Sequence, residues 1–326
     1  LHVLYVDEAG GEPRVAYYRH GTEPLGPVTV SPAGVSTNAH GETPPALAVL
    51  PDGTLLAAYT VPLPGKFKGE IRLQRSTDGG ATWSEPVVLH DDGGGNGSHS
   101  FLTSTVNGRG EAVFAWHDNR SGQQGLRVAS TADGLTITPN ATVDAVTCQC
   151  CATELLPTGG GAIALAYRDM SEGGARDVFL ATSTDGGRSF GEPRPVSVDD
   201  WEIDACPHTG PRLAEDPDGR LWTVWFTGAE PGIYAAVSAD GGRSFTPRRE
   251  LARMGEGHTR HVAHPELGRP LRSADAYHGL NGSFALATVD DHVFGYVDSH
   301  FGGDVTRMVP AAAVRRIVRQ DAPPVR

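Results

Sequence analysis

One short pattern recurs along the chain and limits what it can fold into. Ser76-TDGGAT-Trp83, Ser183-TDGGRS-Phe190 and Ser238-ADGGRS-Phe245 carry it in full; a shorter copy, TADGLTI, occupies 131–137 and ends on Ile137. The aligned aspartates, Asp78, Asp133, Asp185 and Asp240, are separated by 55, 52 and 55 residues. In such a turn the carboxylate accepts hydrogen bonds from turn amides, and the glycines supply φ > 0. The aromatic five residues on fills the apolar core beneath. These aspartates therefore read as structural. A period near 50 with several short strands per repeat is the pattern of a propeller blade. Composition agrees: 42 Gly and 24 Pro in 326 residues punctuate the chain too often for a helical bundle. At 39% hydrophobic, the chain can still bury a large core.

The text between the turns divides regularly. A short outer strand follows each one (EPVVL, GEPRPVSV, TPRREL). An inner strand comes next (PALAVL, FLTSTV, PRLAED), then a turn and a second strand rich in aromatics (LLAAY, AVFAW, LWTVWF). Flanking segments at 1–35 and about 278–326 each read as two strands around a turn. The expected fold class is all-β, a six-bladed β-propeller of four-stranded antiparallel blades. It forms one domain over 1–326, with an inserted loop at about 248–277.

Each outer strand carries a proline, which serves as a ruler. Pro27 to His40, Pro86 to His99 and Pro193 to Cys206 are each 13 residues; Pro139 to Cys151 is 12 and Pro247 to His261 is 14. The position leading into the inner strand is thus repeatedly a His or a Cys. The end of the second strand lies on the same side and adds His117, Arg168, Asp169 and His300. In a propeller such positions converge on one central mouth. Soft thiolates and imidazoles together select copper(I) or zinc(II) over magnesium or calcium. The candidate ligands are Cys148, Cys150, Cys151, Cys206, His208, His99, His117, His40 and His261. Strand alternation would send Cys148 and Cys150 to one side and Cys151 to the other, so all three meet one ion only if the segment is irregular. Disulfides, including a bridge from the 148–151 cluster to Cys206 or a vicinal Cys150–Cys151 bond, account for the same residues. Buried thiols and polar histidines lining a wet channel are the plainer readings.

Charge and hydropathy narrow the partners. Lys+Arg 27 against Asp+Glu 39 gives −12, which argues against nucleic acid or an anionic membrane surface. No apolar run approaches the ~18 residues of a membrane span. The chain opens on the strand-like LHVLYV with no leader visible, as a mature periplasmic or secreted protein would. The partners expected are a metal ion, a protein that donates or accepts it, or a glycan.

The repeated turn is the Asp-box, or BNR repeat, and the chain resembles the sialidase-like propeller superfamily over roughly 40–250. That resemblance implies an exo-acting glycoside hydrolase, and a non-catalytic propeller that binds carbohydrate or protein, its blades stapled by disulfides, is the further alternative. Sialidases hold the substrate carboxylate with three arginines, the first in an Arg-Ile-Pro motif, and use a Tyr–Glu nucleophile pair with an Asp acid/base. No Arg-Ile-Pro motif precedes the first box here, and no Tyr–Glu pair stands out. If the chain is a hydrolase, Arg168, Asp169, Asp118 and Arg120 are the residues that could line the mouth. The run TCQCCAT, AYRD, ARDVF and DDWEIDACPHTGP is similar to a bacterial sialidase-like subgroup sharing the Cys-x-Cys-Cys segment.

Overall fold

A computed structural model describes residues 1–38, 43–65, 67–93, 97–205, 207–253, 260–263, 270–273, 282–289 and 292–299, with backbone alone from 252 onward. Among the described residues every regular element is a strand. β1 (His2–Asp7), β2 (Arg14–Arg19) and β3 (Leu25–Thr29) form a three-stranded antiparallel sheet, one strand more than the sequence suggests for this segment. β4 (Ala46–Val49), β5 (Leu55–Pro62), β6 (Gly69–Ser76) and β7 (Val87–Val88) form a four-stranded sheet in that order. β8 (His99–Val106), β9 (Ala112–Asp118), β10 (Gly125–Thr131) and β11 (Ala141–Asp144) repeat it. So do β12 (Glu154–Pro157), β13 (Ile163–Arg168), β14 (Val178–Ser183) and β15 (Arg194–Pro195). A fourth such sheet is β16 (Arg212–Glu215), β17 (Leu221–Thr227), β18 (Gly232–Ser238) and β19 (Arg249–Arg253). Two pairs follow, β20 (Arg260–Ala263) with β21 (Pro270–Ser273), and β22 (Gly282–Val289) with β23 (His292–Ser299). The blade text is thus read correctly at the sheet level: the expected inner strands are β4, β8 and β16.

The chain falls into two compact units, one of Leu1–Pro157, Gly161–Leu165 and Ala181–Pro193, the other of Thr158–Gly160, Ala166–Leu180 and Arg194–Arg326. In the first, strand alternation explains how sheets stack. Along β5, Leu55, Ala57 and Tyr59 pack with Val15 and Tyr17, while Leu56 and Ala58 pack with Ile71, Phe114 and Trp116. Consecutive side chains point to opposite faces, so one strand buried on both faces needs an unbroken apolar run. In the second unit Trp201, Val224, Phe226, Ile233 and Ala235 form the core cluster. Val224, Phe226 and Ile233 each contribute roughly 1.5–3 kcal/mol on burial.

The Asp-boxes work as the sequence implies. Asp78 Oδ1 accepts from Ser76 Oγ (2.8 Å) and Thr82 N (3.0 Å), and the Gly80 amide donates to Ser76 Oγ (2.9 Å). The glycine whose amide donates to the box Ser or Thr hydroxyl also meets the preceding sheet. Gly80 sits at φ 96°, and a Cβ there would fall 2.0 Å from Tyr17 Cε1. A Cβ at Gly134 would meet Leu56 Cδ2 at 2.4 Å, and one at Gly187 would meet Val113 Cγ1 at 2.7 Å. Tyr17, Leu56 and Val113 each lie on the second strand of the sheet before. An arginine from that earlier sheet then donates to a box carbonyl: Arg19 to Gly79 (3.2 Å), Arg75 to Asp133 (3.1 Å) and Arg109 to Asp185 (2.5 Å).

Candidate metal centres

Cys148, Gln149, Cys150 and Cys151 lie outside any strand, in a turn between β11 and β12. Strand alternation does not apply there, and the three thiols converge. Cys148 Sγ is 3.9 Å from Cys150 Sγ and 3.6 Å from Cys151 Sγ, and all three residues are buried. Both separations exceed the ~2.05 Å of a disulfide, so Cys148 is bridged to neither, and Cys150 and Cys151 are likewise not joined in the structure. Hydrogen bonds with Cys148 and Cys151, and then burial, push the Cys150 thiol far above its ordinary range. One ion held by ~2.3 Å metal–sulfur bonds sets its sulfurs about 3.8 Å apart at the tetrahedral angle and about 4.0 Å apart in a trigonal plane. The two separations from Cys148 are close to that spacing, and all three sulfurs lie within 4.8 Å of one another.

His117, at the penultimate position of β9, braces this turn. Its Nε2 donates to the Cys151 carbonyl at 2.8 Å, because a carbonyl only accepts. Its Nδ1 is then the acceptor for Thr147 Oγ1 at 3.2 Å. Burial lowers the His117 pKa, which keeps the ring neutral. Both ring nitrogens are thus engaged with the loop that carries the cysteines. His117 holds the backbone of the turn that carries the trio.

His99 is the first residue of β8, as the proline ruler expects, and pairs across the sheet with Asp118. The ring packs flat on His90, centroids 3.6 Å apart and planes 5° apart. His90 Nδ1 lies 2.5 Å from Asp92 Oδ1, and His99 Nε2 lies 3.1 Å from Asp92 Oδ2 and 3.4 Å from Asp118 Oδ2. Sequence reasoning missed His90 and Asp92. They leave the outer strand β7 in LHDDG, whereas the ruler looks only at the residue leading into the inner strand.

Arg168, Asp118 and Arg120 are tied into the fold. Arg168 is 1% exposed. Its Nε and Nη2 donate to Thr209 O (3.1 Å), Thr209 Oγ1 (3.3 Å) and Phe226 O (2.8 Å), and its Nη1 donates to the Arg176 carbonyl. Trp201 covers the guanidinium at 5.0 Å. Asp118 accepts from Trp116 Nε1 (3.0 Å) and from Arg120 Nη2 (2.7 Å). Arg120 also holds Asp91 Oδ1 (2.5 Å) and Asn140 Oδ1 (2.9 Å). Asp169, partly buried, donates its amide to the Asp177 carbonyl (2.9 Å). His208 is partly buried at φ 51° in the second unit. His40, Cys206 and His300 lie outside the described residues, and for His261 the backbone alone is described.

The model of the BNR repeat-like domain matches residues 25–252. The chain belongs to the BNR repeat-like family. Solved structures similar to this BNR chain include a Penicillium chrysogenum α-L-arabinanase complexed with arabinobiose, at 16% identity and TM-score 0.52, covering 84% of this chain and 79% of that one. The NanB sialidase from Streptococcus pneumoniae is 12% identical with TM-score 0.52, covering 82% of this chain and 58% of that chain. The Hadza microbial sialidase Hz136 is 15% identical with TM-score 0.51, covering 88% and 60%. This BNR chain therefore spans less than two thirds of either sialidase, and at such identity the likeness concerns the fold. No curated protein matches it. No helix among its described residues is long and apolar enough to cross a membrane.

Proposed function

We propose that this BNR chain is an extracytoplasmic soft-metal protein that binds copper(I) through Cys148, Cys150 and Cys151. The observation that carries the reading is the convergence of three buried sulfurs at 3.6 and 3.9 Å within one turn. A set of three thiolates suits copper(I), with zinc(II) the alternative. The ion neutralises charge that three buried thiolates could not otherwise carry, so binding releases protons. His117 supports the site by fixing the Cys151 carbonyl. The propeller supplies the frame, and a protein that donates or accepts copper(I) is the matching partner.

The test is metal analysis of chain purified under reducing conditions, read beside a thiol count. About one copper per chain is expected, falling at least ~100-fold in affinity for Cys150→Ser. Neither copper nor zinc bound, with all thiols titratable, overturns the reading.

The fold of the sialidase and arabinanase neighbours supports a second reading, a glycoside hydrolase acting on acidic sugars. It requires turnover of a fluorogenic sialoside that declines when Asp169 is lost. The engagement of Arg168, Asp118 and Arg120 with protein partners weighs against it.

A further inference from the structure

The hydrogen bonds around His90 and His99 fix their tautomers. His99 Nδ1 lies 2.7 Å from the Gly69 carbonyl, which can only accept, so Nδ1 carries the proton. His90 Nδ1 lies 2.5 Å from the Asp92 carboxylate and donates to it. Each ring therefore turns its Nε2 away from its anchor. Both Nε2 atoms are buried and have no hydrogen-bond partner among the described residues. His99 Nε2 nonetheless faces two carboxylate oxygens, of Asp92 at 3.1 Å and of Asp118 at 3.4 Å. Anionic oxygens around a buried ring nitrogen call for a positive charge between them, supplied by a ring proton or by a bound cation.

The nearest arginines are turned to the neighbouring carboxylates. Arg120 answers Asp118 and Asp91, at 2.7 and 2.5 Å, and reaches Asp92 only through longer-range attraction, while Arg127 Nε lies 3.8 Å from Asp118 Oδ1. Asp92 meets His90 and His99, and no Lys or Arg lies within ion-pair reach of it among the described residues. Its side chain is 12% exposed. A histidine whose other nitrogen is anchored on a carboxylate or a backbone carbonyl is the usual arrangement around a bound metal. His90 and His99 show one of each.

We propose that His90, Asp92 and His99 form a second metal site, selective for a divalent ion of the zinc class and independent of the thiol trio. One ligand atom from each already lies within 4.8 Å of the others. The 3.1 Å separation of His99 Nε2 and Asp92 Oδ2 is close to the ~3.3 Å edge of a tetrahedron with ~2.05 Å bonds. Two nitrogens and a carboxylate suit zinc(II), whereas soft copper(I) prefers the sulfurs. Asp118 Oδ2, already accepting from Trp116 and Arg120, forms the anionic wall behind His99. Binding must splay the 5° ring stack, since two parallel rings cannot both aim in-plane lone pairs at one ion.

The experiment uses the full chain, stripped by chelator and titrated with cobalt(II) alone. Cys148→Ser/Cys150→Ser/Cys151→Ser should bind about one equivalent, giving visible ligand-field bands without the intense near-ultraviolet thiolate charge-transfer band. His99→Gln or His90→Gln should weaken this binding by more than ~100-fold and leave copper(I) on the cysteines unchanged. Should the serine variant fail to fold, the wild-type chain decides through the ring nitrogen-15 shifts of His90 and His99. Zinc(II) should move both Nε2 resonances. No cobalt bands, bands indifferent to both histidines, or a His99 ring protonated on both nitrogens and unmoved by zinc overturns the proposal. Loss of copper(I) binding alone overturns the first site and leaves this one standing.

Discussion

Arg168 shows how a guanidinium is committed when backbone carbonyls reach it first. In the sequence it ends a second strand beside Asp169, the right address for a substrate-facing arginine. In the fold its donors go to Thr209, Arg176 and Phe226, and Trp201 covers its face. A lysine cannot span three carbonyls with one ammonium. Arg168→Lys should therefore cost about 2–4 kcal/mol, seen as a lower urea midpoint with unchanged slope. A variant of unaltered stability that has lost sialoside turnover would return Arg168 to the substrate. Carbonyl acceptors carry no residue-type signal, which is why this role was not legible in the chain. The same limit hid the role of His117, which is anchored on the Cys151 carbonyl.

Among elements, the box turn and the strand before it are matched pieces. Gly80 is required twice, by its φ of 96° and by the Tyr17 ring against its Cα. Gly80→Ala should destabilise by about 3 kcal/mol or more, since strain and overlap add. Calorimetry of the variant beside Gly53→Ala, also at positive φ but with open space around it, separates the two contributions. Turn chemistry made these elements readable: box spacing and outer-strand prolines locate the sheets, and His99 opens β8 as the ruler expects. The thiol trio was legible as a cluster but not as a convergence, because alternation describes strands and Cys148–Cys151 is a turn. His90 and Asp92 were missed because they leave a strand instead of leading into one. Segment 248–277, read as an insertion, begins with β19, the fourth strand of its sheet.

At the scale of the whole molecule, the boxes set the response to acid. Asp78 is held at about 2 by Thr82 and Ser76. Asp185 and Asp240 are also at about 2: burial pushes them up, but bonds from Ser189, Ser183 and Arg188, and from Ser244, Ser238 and Arg243, outweigh it. A folded carboxyl below its ordinary 3.8 binds its proton more weakly than the unfolded chain does. These aspartates thus contribute their full stabilisation above about pH 4 and lose it as pH falls toward 2. Thermal scans should show Tm dropping across that window. The Tm difference between wild type and Asp185→Asn should be widest above pH 4 and narrow toward pH 2. A difference that is constant with pH contradicts this account. The box glycines bear on synthesis as well. Gly80, Gly134 and Gly187 each close onto a strand made earlier in the chain, at Tyr17, Leu56 and Val113. A ribosome releasing this protein thus delivers each joint after its socket, so native contacts can accrue from the first sheet onward without waiting for the last.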